Sequence, residues 1–220
     1  MAIEPPDVSE ARRIRETWML LVAVLAVAFV QLTVPDDLLF GPSWMFPAAE
    51  LALAGVILVA EYADPLRAAN VRGVALALGL VLVVANAVTA GMLVESLVSH
   101  PADTATQLLV TGVKVLLTNV LAYAIVYWMV DGGGPVRRSE PSPGERDFQF
   151  TQDAHASAGP WRPHFGDYLY LAYTNVTAFS PTDVMPLTLR VKGLMALQSI
   201  VALGTIGVTL ARAINILPTT

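Results

Sequence analysis

Long apolar runs separated by short polar breaks fill the first 130 residues of the chain. The runs cover residues 17–34, 44–62, about 71–98 and about 105–130. Each run is close to the ~20 apolar residues that a helix needs to cross a bilayer. The pattern therefore predicts a tail at residues 1–16, followed by a four-helix transmembrane region at residues 17–130.

A polar segment at residues 131–163 interrupts this pattern. It opens with Asp131, three glycines and Pro135, which do not extend a helix, and it is rich in Gly, Pro and Ser. We expect an exposed polar loop with little fixed structure there.

A short amphiphilic stretch and one more apolar run make up residues 164–220. The stretch from Tyr168 to about Thr177 makes about two or three helical turns, too few to cross a hydrocarbon core ~30 Å thick. After a turn, the last apolar helix runs from about residue 187 to 217. The predicted fold is an all-α integral membrane protein with about five transmembrane helices and a short re-entrant helix before the last one.

The composition agrees with lipid as the main solvent. Hydrophobic residues make up 55% of the chain and charged residues 14%, whereas soluble domains carry about 25% charged residues. These values exclude an ordinary soluble enzyme and a disordered chain. The net charge of −5 provides no basic face, so the expected partner is the lipid bilayer and not nucleic acid.

Few residues offer catalytic or metal-binding chemistry. The chain has no cysteine, and its three histidines form no HExxH motif. No nucleophile and base are recognisable as a pair. We therefore expect no enzyme activity, no metal site and no cofactor.

Arginines are distributed unevenly over the predicted breaks, and this sets the expected orientation. Nine of them lie in the tail, near residues 63–72 and in residues 131–163, whereas the breaks at 35–43 and 99–104 contain no Lys or Arg. The positive-inside rule then predicts a multi-pass protein of the cell membrane with a cytoplasmic N-terminus. Because acidic residues precede the first run, we interpret that run as an uncleaved helix and not as a signal peptide.

Two charged residues lie within the predicted spans. Glu50 is in the second span and Lys114 is in the fourth, and both lie near the outer end of their helix. An unpaired charge at the bilayer centre costs about 2.5–3.5 kcal/mol on insertion scales. One interpretation is an intramembrane ion pair between them, and the other is that each side chain extends to the outer interface.

Residues 183–188 follow the short helix in the order Asp183, two apolar residues, Pro186, Leu187 and Thr188. With Thr174 and Thr177 at the polar end of the short helix, this order resembles the pore unit of the potassium-channel superfamily. The resemblance covers residues 164–217 and implies a pore-type helix, an ion path and, for a channel, a homotetramer. Gly204 and Gly207 fall where inner helices of that family carry a hinge glycine.

The filter position departs from that family. Residues 177–182 contain no glycine, and Pro181 lacks an N–H and has a fixed φ. A potassium filter aims backbone carbonyls at the ion, and its backbone requires glycine. The resemblance therefore implies a degenerate filter that does not select potassium. The candidate ion contacts are the hydroxyls and the carboxylate of this stretch: Thr174, Thr177, Ser180, Thr182 and Asp183.

The same C-terminal segment is also similar to a family of uncharacterised bacterial multi-pass membrane proteins, and this resemblance is the closer one. It rests on the sequence Asp-Tyr-Leu-Tyr at residues 167–170, on Thr182 and Asp183, and on an Ala-x-x-x-Asn motif at residues 211–215. That resemblance implies no established activity.

Two topologies and three functions follow from these patterns. Residues 164–182 either enter and leave the membrane on the cytoplasmic side, which agrees with Arg190 and Lys192 on that side, or cross it completely. The first function is a channel-like protein that passes cations through an oligomeric pore lined by residues 174–183. The alternatives are a non-conducting structural or partner-binding membrane protein and a secondary transporter.

Overall fold

The computed structural model describes residues 6–34, 41–63, 68–99, 105–134, 138, 146–154, 161–178 and 183–216. These residues form six α-helices, which confirms the all-α prediction. The helices are α1 (Pro6–Leu32), α2 (Met45–Ala63), α3 (Ala68–Ser99), α4 (Ala105–Val130), α5 (Phe165–Thr177) and α6 (Leu189–Ile216). Two short strands, β1 (Phe148–Phe150) and β2 (Val184–Pro186), complete the fold.

Three of the described helices are long and apolar enough to cross a membrane. Their apolar parts are Gly73–Leu97 in α3, Leu109–Val130 in α4 and Leu189–Ile214 in α6. The apolar parts of α1 and α2, Thr17–Leu32 and Met45–Val59, are shorter. All five lie where the apolar runs of the sequence predict them.

Helix α4 lies at the centre of the bundle. It packs against α1, α3, α5 and α6. In its apolar part 61% of the residues are buried within the chain, compared with 28% in α6. Helix α6 therefore leaves most of its surface uncovered by the described part of the chain.

Helix α5 begins at a polar first turn. Asp167 accepts a hydrogen bond from the backbone N–H of His164, with 2.6 Å between nitrogen and oxygen. An acidic residue at this position satisfies one of the free N–H groups at a helix N-terminus and interacts favourably with the helix dipole.

The chain enters α5 and returns from it at the same end of the bundle, beside the end of α4. The Tyr168 hydroxyl in the first turn of α5 donates to the carboxylate of Asp131, which follows α4, at 2.6 Å. On the return side, the Arg190 guanidinium in α6 donates to the carbonyl oxygen of Val130 at 3.4 Å. Helix α5 therefore does not carry the chain from one end of α4 to the other.

A two-stranded antiparallel sheet joins the return to the segment after α4. In this sheet Phe148 pairs with Pro186, and Phe150 pairs with Val184. The side chains of Phe148 and Phe150 are buried, and their rings contact the aromatic ring of Tyr168.

The sheet corrects the prediction of a loop with little fixed structure over residues 131–163. In the described part of that range, β1 is followed by a 3₁₀-helical turn at Thr151–Ala154, and Asp131, Arg138 and Asp147 are buried. A Phe-x-Phe alternation places two rings on one face of a strand. Because polar residues flank this motif, the sequence pattern does not indicate a buried strand there. The C-terminal unit predicted at residues 164–220 thus includes contacts from the preceding segment.

Candidate functional site

The two threonines predicted at the polar end of the pore-type helix both bond to their own helix. The Thr174 hydroxyl is buried and donates to the carbonyl oxygens of Tyr170 and Leu171, at 3.0 and 3.1 Å. The Thr177 hydroxyl donates to the Tyr173 carbonyl oxygen at 3.0 Å, and its residue is exposed. Of these two candidates, only Thr177 lies on the open face of α5.

The remaining candidate ion contacts follow α5 in the sequence. Ser180 and Thr182 fall outside the described residues. Asp183 is half-buried directly before β2, and its carbonyl oxygen accepts a hydrogen bond from the N–H of Thr151 at 3.2 Å. The backbone at Asp183 is therefore tied to the segment after α4.

A buried hydrogen-bond network fixes α5 between α4 and α6. The amide oxygen of Gln198 accepts from the Tyr127 hydroxyl at 2.6 Å and from the Asn175 amide at 2.8 Å. The Asn175 amide also donates to the Met195 carbonyl oxygen at 3.0 Å, and the Gln198 amide donates to the Ala172 carbonyl oxygen at 3.1 Å. Three helices therefore meet at Gln198, which has no exposed surface.

The network also gives the depth that α5 reaches. Gln198 follows Arg190 by eight residues of α6, which corresponds to about 12 Å at 1.5 Å per residue. Since Arg190 lies at the end of α4, Asn175 lies about 12 Å from that end, less than half of a ~30 Å hydrocarbon core.

The two glycines predicted as hinges lie on the open side of α6. A Cβ atom at Gly204 or Gly207 would meet no other atom within 4 Å. Helix α6 continues through both positions as one α-helix. A different glycine makes the close helix contact, because a Cβ atom at Gly112 in α4 would lie 2.9 Å from the side chain of Thr209 in α6.

The ion pair predicted between Glu50 and Lys114 is not formed. The Glu50 carboxyl accepts a hydrogen bond from the Gln31 amide at 2.9 Å. The Lys114 ammonium donates to the carbonyl oxygen of Thr33 at 2.5 Å. Because Thr33 follows α1, whose last carbonyls lack helical partners, Lys114 stabilises the C-terminus of that helix.

A charge cluster surrounds the end of α4, and its first centre is Asp131. One carboxylate oxygen accepts the N–H groups of Asp147 and Phe148 at 2.9 and 3.1 Å. The other oxygen accepts the Tyr168 hydroxyl and forms an ion pair with Arg138 at 2.5 Å. Asp131 thus holds together α4, β1 and α5 through a fully hydrogen-bonded buried carboxylate.

The second centre of the charge cluster is Asp147. Its carboxylate accepts hydrogen bonds from the Thr188 hydroxyl and the Arg190 Nε, each at 2.6 Å, and from the Gly132 N–H at 3.1 Å. A second guanidinium nitrogen of Arg190 pairs with the same carboxylate. Asp147 therefore connects the start of α6 to the turn that ends α4.

Burial and hydrogen bonding act in opposite directions on these two carboxyl groups. Burial raises the pKa of Asp131 above its usual value, and the ion pair with Arg138 and the Tyr168 hydrogen bond oppose this rise. Burial also acts to raise the pKa of Asp147, but the hydrogen bonds from Arg190 and Thr188 outweigh it and lower that pKa. Asp147 is therefore ionised at neutral pH.

Sequence reasoning missed both of these aspartates and the Asn175–Gln198 contact. Asp131 stands directly after an apolar span, but nothing in its neighbourhood indicates a buried position. Asn175 and Gln198 are polar residues on otherwise apolar helical faces. This was the one feature of the sequence that indicates buried polar partners.

The described residues provide no group of three or more His, Asp or Glu side chains that could hold a metal ion. No family model matches the chain, and no curated protein or solved structure matches it.

Proposed function

We propose that this chain is a channel-like, multi-pass membrane protein of the cell membrane, in which α5, the return after it and α6 form a pore-type unit. The observation that carries the proposal is that the chain enters and leaves α5 at the same end of α4. A helix that dips into the bilayer and returns provides the irregular backbone that selectivity filters use, and such backbone is tolerated at membrane depth only where protein or water surrounds it.

The charge distribution supports a cytoplasmic position for this end of the bundle. Arg138, Arg146 and Arg190 all belong to ion pairs around the end of α4. Positive residues concentrate on the cytoplasmic side of membrane proteins. In the proposed topology five helices span the membrane, the N-terminus is cytoplasmic, and α5 enters from the cytoplasm.

The proposed ion path lies between copies of the chain. Thr174 is buried inside one chain, so of the described candidates Thr177 and Asp183 would line the path, together with Ser180 and Thr182 as the sequence predicts them. A ring of acidic side chains favours cations, and the absence of glycine from residues 177–182 argues against potassium selectivity. The little-buried surface of α6 supports assembly around an axis, with four copies as in potassium channels.

A second candidate function is a non-conducting structural membrane protein. The observation that favours it is that both threonine hydroxyls donate their one hydrogen to their own helix and that Thr174 is buried within the chain.

Flux measurements on reconstituted protein distinguish the two functions. The full chain in liposomes is expected to pass Na⁺ and K⁺ above the rate of empty vesicles, and cross-linking is expected to yield tetramers. Asp183→Asn should lower the flux, whereas the matched change Glu95→Gln, at an exposed position of α3, should not. A folded, correctly inserted protein without flux would refute the channel and favour the structural function.

A further inference from the structure

A buried pair of polar side chains joins α1 to α2, two helices outside the pore-type unit. Gln31 and Glu50 have relative exposures of 6% and 0%, and the Gln31 amide nitrogen donates to one oxygen of the Glu50 carboxyl at 2.9 Å. This pair lies on helices that do not contribute to the charge cluster around the end of α4.

Each member of the pair keeps one oxygen atom without a hydrogen-bond partner. These atoms are Oε1 of Gln31 and Oε2 of Glu50. An amide oxygen and a carboxylate oxygen can only accept hydrogen bonds, so they cannot satisfy each other. A buried polar atom without a partner destabilises the fold, and an isolated buried charge does so much more strongly.

One proton on the Glu50 carboxyl would provide both unpartnered oxygen atoms with a hydrogen bond. A proton on Oε2 of Glu50 turns that oxygen into a donor, and Oε1 of Gln31, on the amide that already bonds to Glu50, is an acceptor that lacks a donor. The two side chains then form a cyclic acid–amide pair with two hydrogen bonds and no net charge. We propose that Glu50 is a proton-binding site in the helix bundle.

The geometry favours a proton over a metal ion as the occupant. Hard cations such as Ca²⁺ take six to eight oxygen ligands, and Mg²⁺ requires six in octahedral arrangement. The pair offers two unpartnered oxygens, and the described residues contain no group of three or more acidic or histidine side chains that would complete a site.

Few charged groups are available to the site from the neighbouring helices. Helices α1 and α3 pack against α2. The described charged side chains on these two helices are Arg15 and Glu95, and both are exposed. On α4, the Lys114 ammonium is bonded to the Thr33 carbonyl oxygen, two residues beyond Gln31 in the chain. Loss of the proton would therefore leave a buried carboxylate to which none of these described charged side chains is bonded.

The variant Glu50→Gln imitates the protonated state. An amide at position 50 can donate to Gln31 Oε1 and accept from Gln31 Nε2, which preserves both hydrogen bonds without a proton. We expect the variant to be as stable as the native chain near about pH 4, where unfolded glutamate still keeps its proton. At higher pH the variant should become the more stable of the two, because the folded native chain holds a proton that the unfolded chain has released and so loses up to about tenfold in its folded-to-unfolded ratio per pH unit.

Infrared spectroscopy of the full chain in lipid tests the proton directly. With ¹³C-labelled glutamate, the native chain at neutral pH should show the carbonyl band of a protonated glutamic acid, and Glu50→Gln should remove this band. The matched change Glu95→Gln should leave it in place. Absence of the band in the native chain at neutral pH would overturn the proposal, and so would its loss on addition of Na⁺ or K⁺ at constant pH. The result is independent of ion flux, so the proton site and the channel can fail separately.

Discussion

The contact of three helices at Gln198 permits a quantitative test of how α5 is held. In Gln198→Leu the Tyr127 hydroxyl loses its acceptor, and one of the two Asn175 amide hydrogens loses its acceptor as well. The second Asn175 hydrogen keeps the Met195 carbonyl oxygen. The variant also loses the hydrogen bond that the Gln198 amide donates to the Ala172 carbonyl oxygen, but this loss leaves no donor unpaired.

The expected destabilisation follows from these two lost bonds. Hydrogen bonds between helices in membranes contribute about 0.6 kcal/mol on average and at most about 1.7 kcal/mol. Two of them amount to about 1–3 kcal/mol, and leucine fills a similar volume, so the cavity contribution is small. Ala196→Leu, at an exposed position of α6 in the same turn, is the control and should have little effect.

Reversible unfolding in mixed micelles measures the change in free energy. A cysteine introduced at the buried Thr174 reports on α5 separately, because its rate of modification should rise in Gln198→Leu if α5 detaches before the bundle unfolds. A double-mutant cycle with Tyr127→Phe should give a coupling energy of about 0.6–1.7 kcal/mol. Additive effects, or a Gln198→Leu variant as stable as the native chain, would refute the assignment of this network as the anchor of α5.

Three further predictions concern the packing and the charge cluster. The pKa of Asp147 is lowered in the folded state, so the ionised carboxylate stabilises the fold above the usual aspartate pKa, and this stabilisation disappears as pH falls below about 4. In acid unfolding measurements, the free energy of unfolding of Asp147→Asn should therefore lack the decrease that Asp147 causes in the native chain. Gly112→Ala should cost about 1–3 kcal/mol because its Cβ would overlap the stiff side chain of Thr209, and Thr209→Ala should restore stability, whereas Gly207→Ala should be neutral. Phe148→Ala should lower the free energy of unfolding by about 3–5 kcal/mol, since the ring is fully buried; a loss below 1 kcal/mol would show that the segment before α5 does not belong to the core.

The helices could be predicted from the sequence because lipid-facing and buried positions are both apolar. A run of about 20 apolar residues indicates a span whatever it packs against, and its ends follow from glycine, proline and charge. The short helix was placed at Tyr168–Thr177, and the structure extends it by one turn to Phe165–Thr177. That turn contains Asp167, for which the sequence predicts a position at the N-cap or in the first turn of the helix, and the structure has it in the first turn.

The partners of polar residues could not be predicted in the same way. Two residues at similar depth, such as Glu50 and Lys114, can face different directions around their helices, and depth alone contains no information about this direction. In the structure Glu50 is hydrogen-bonded to Gln31, and Lys114 is hydrogen-bonded to Thr33. The charge cluster posed the same difficulty, because Asp147 and Arg190 are 43 residues apart and lie in segments with different composition.

The pairing of β1 with β2 has a consequence for biosynthesis. Residues 148–150 leave the ribosome well before residues 184–186, so α5 is complete before the strand that closes its return exists. Until then Asp147 has neither Thr188 nor Arg190 beside it. A nascent chain arrested before residue 184 should therefore hold α5 only by its contacts with α4 and with Asp131, Phe148 and Phe150, and the closing of the sheet is a late step in the folding of this protein.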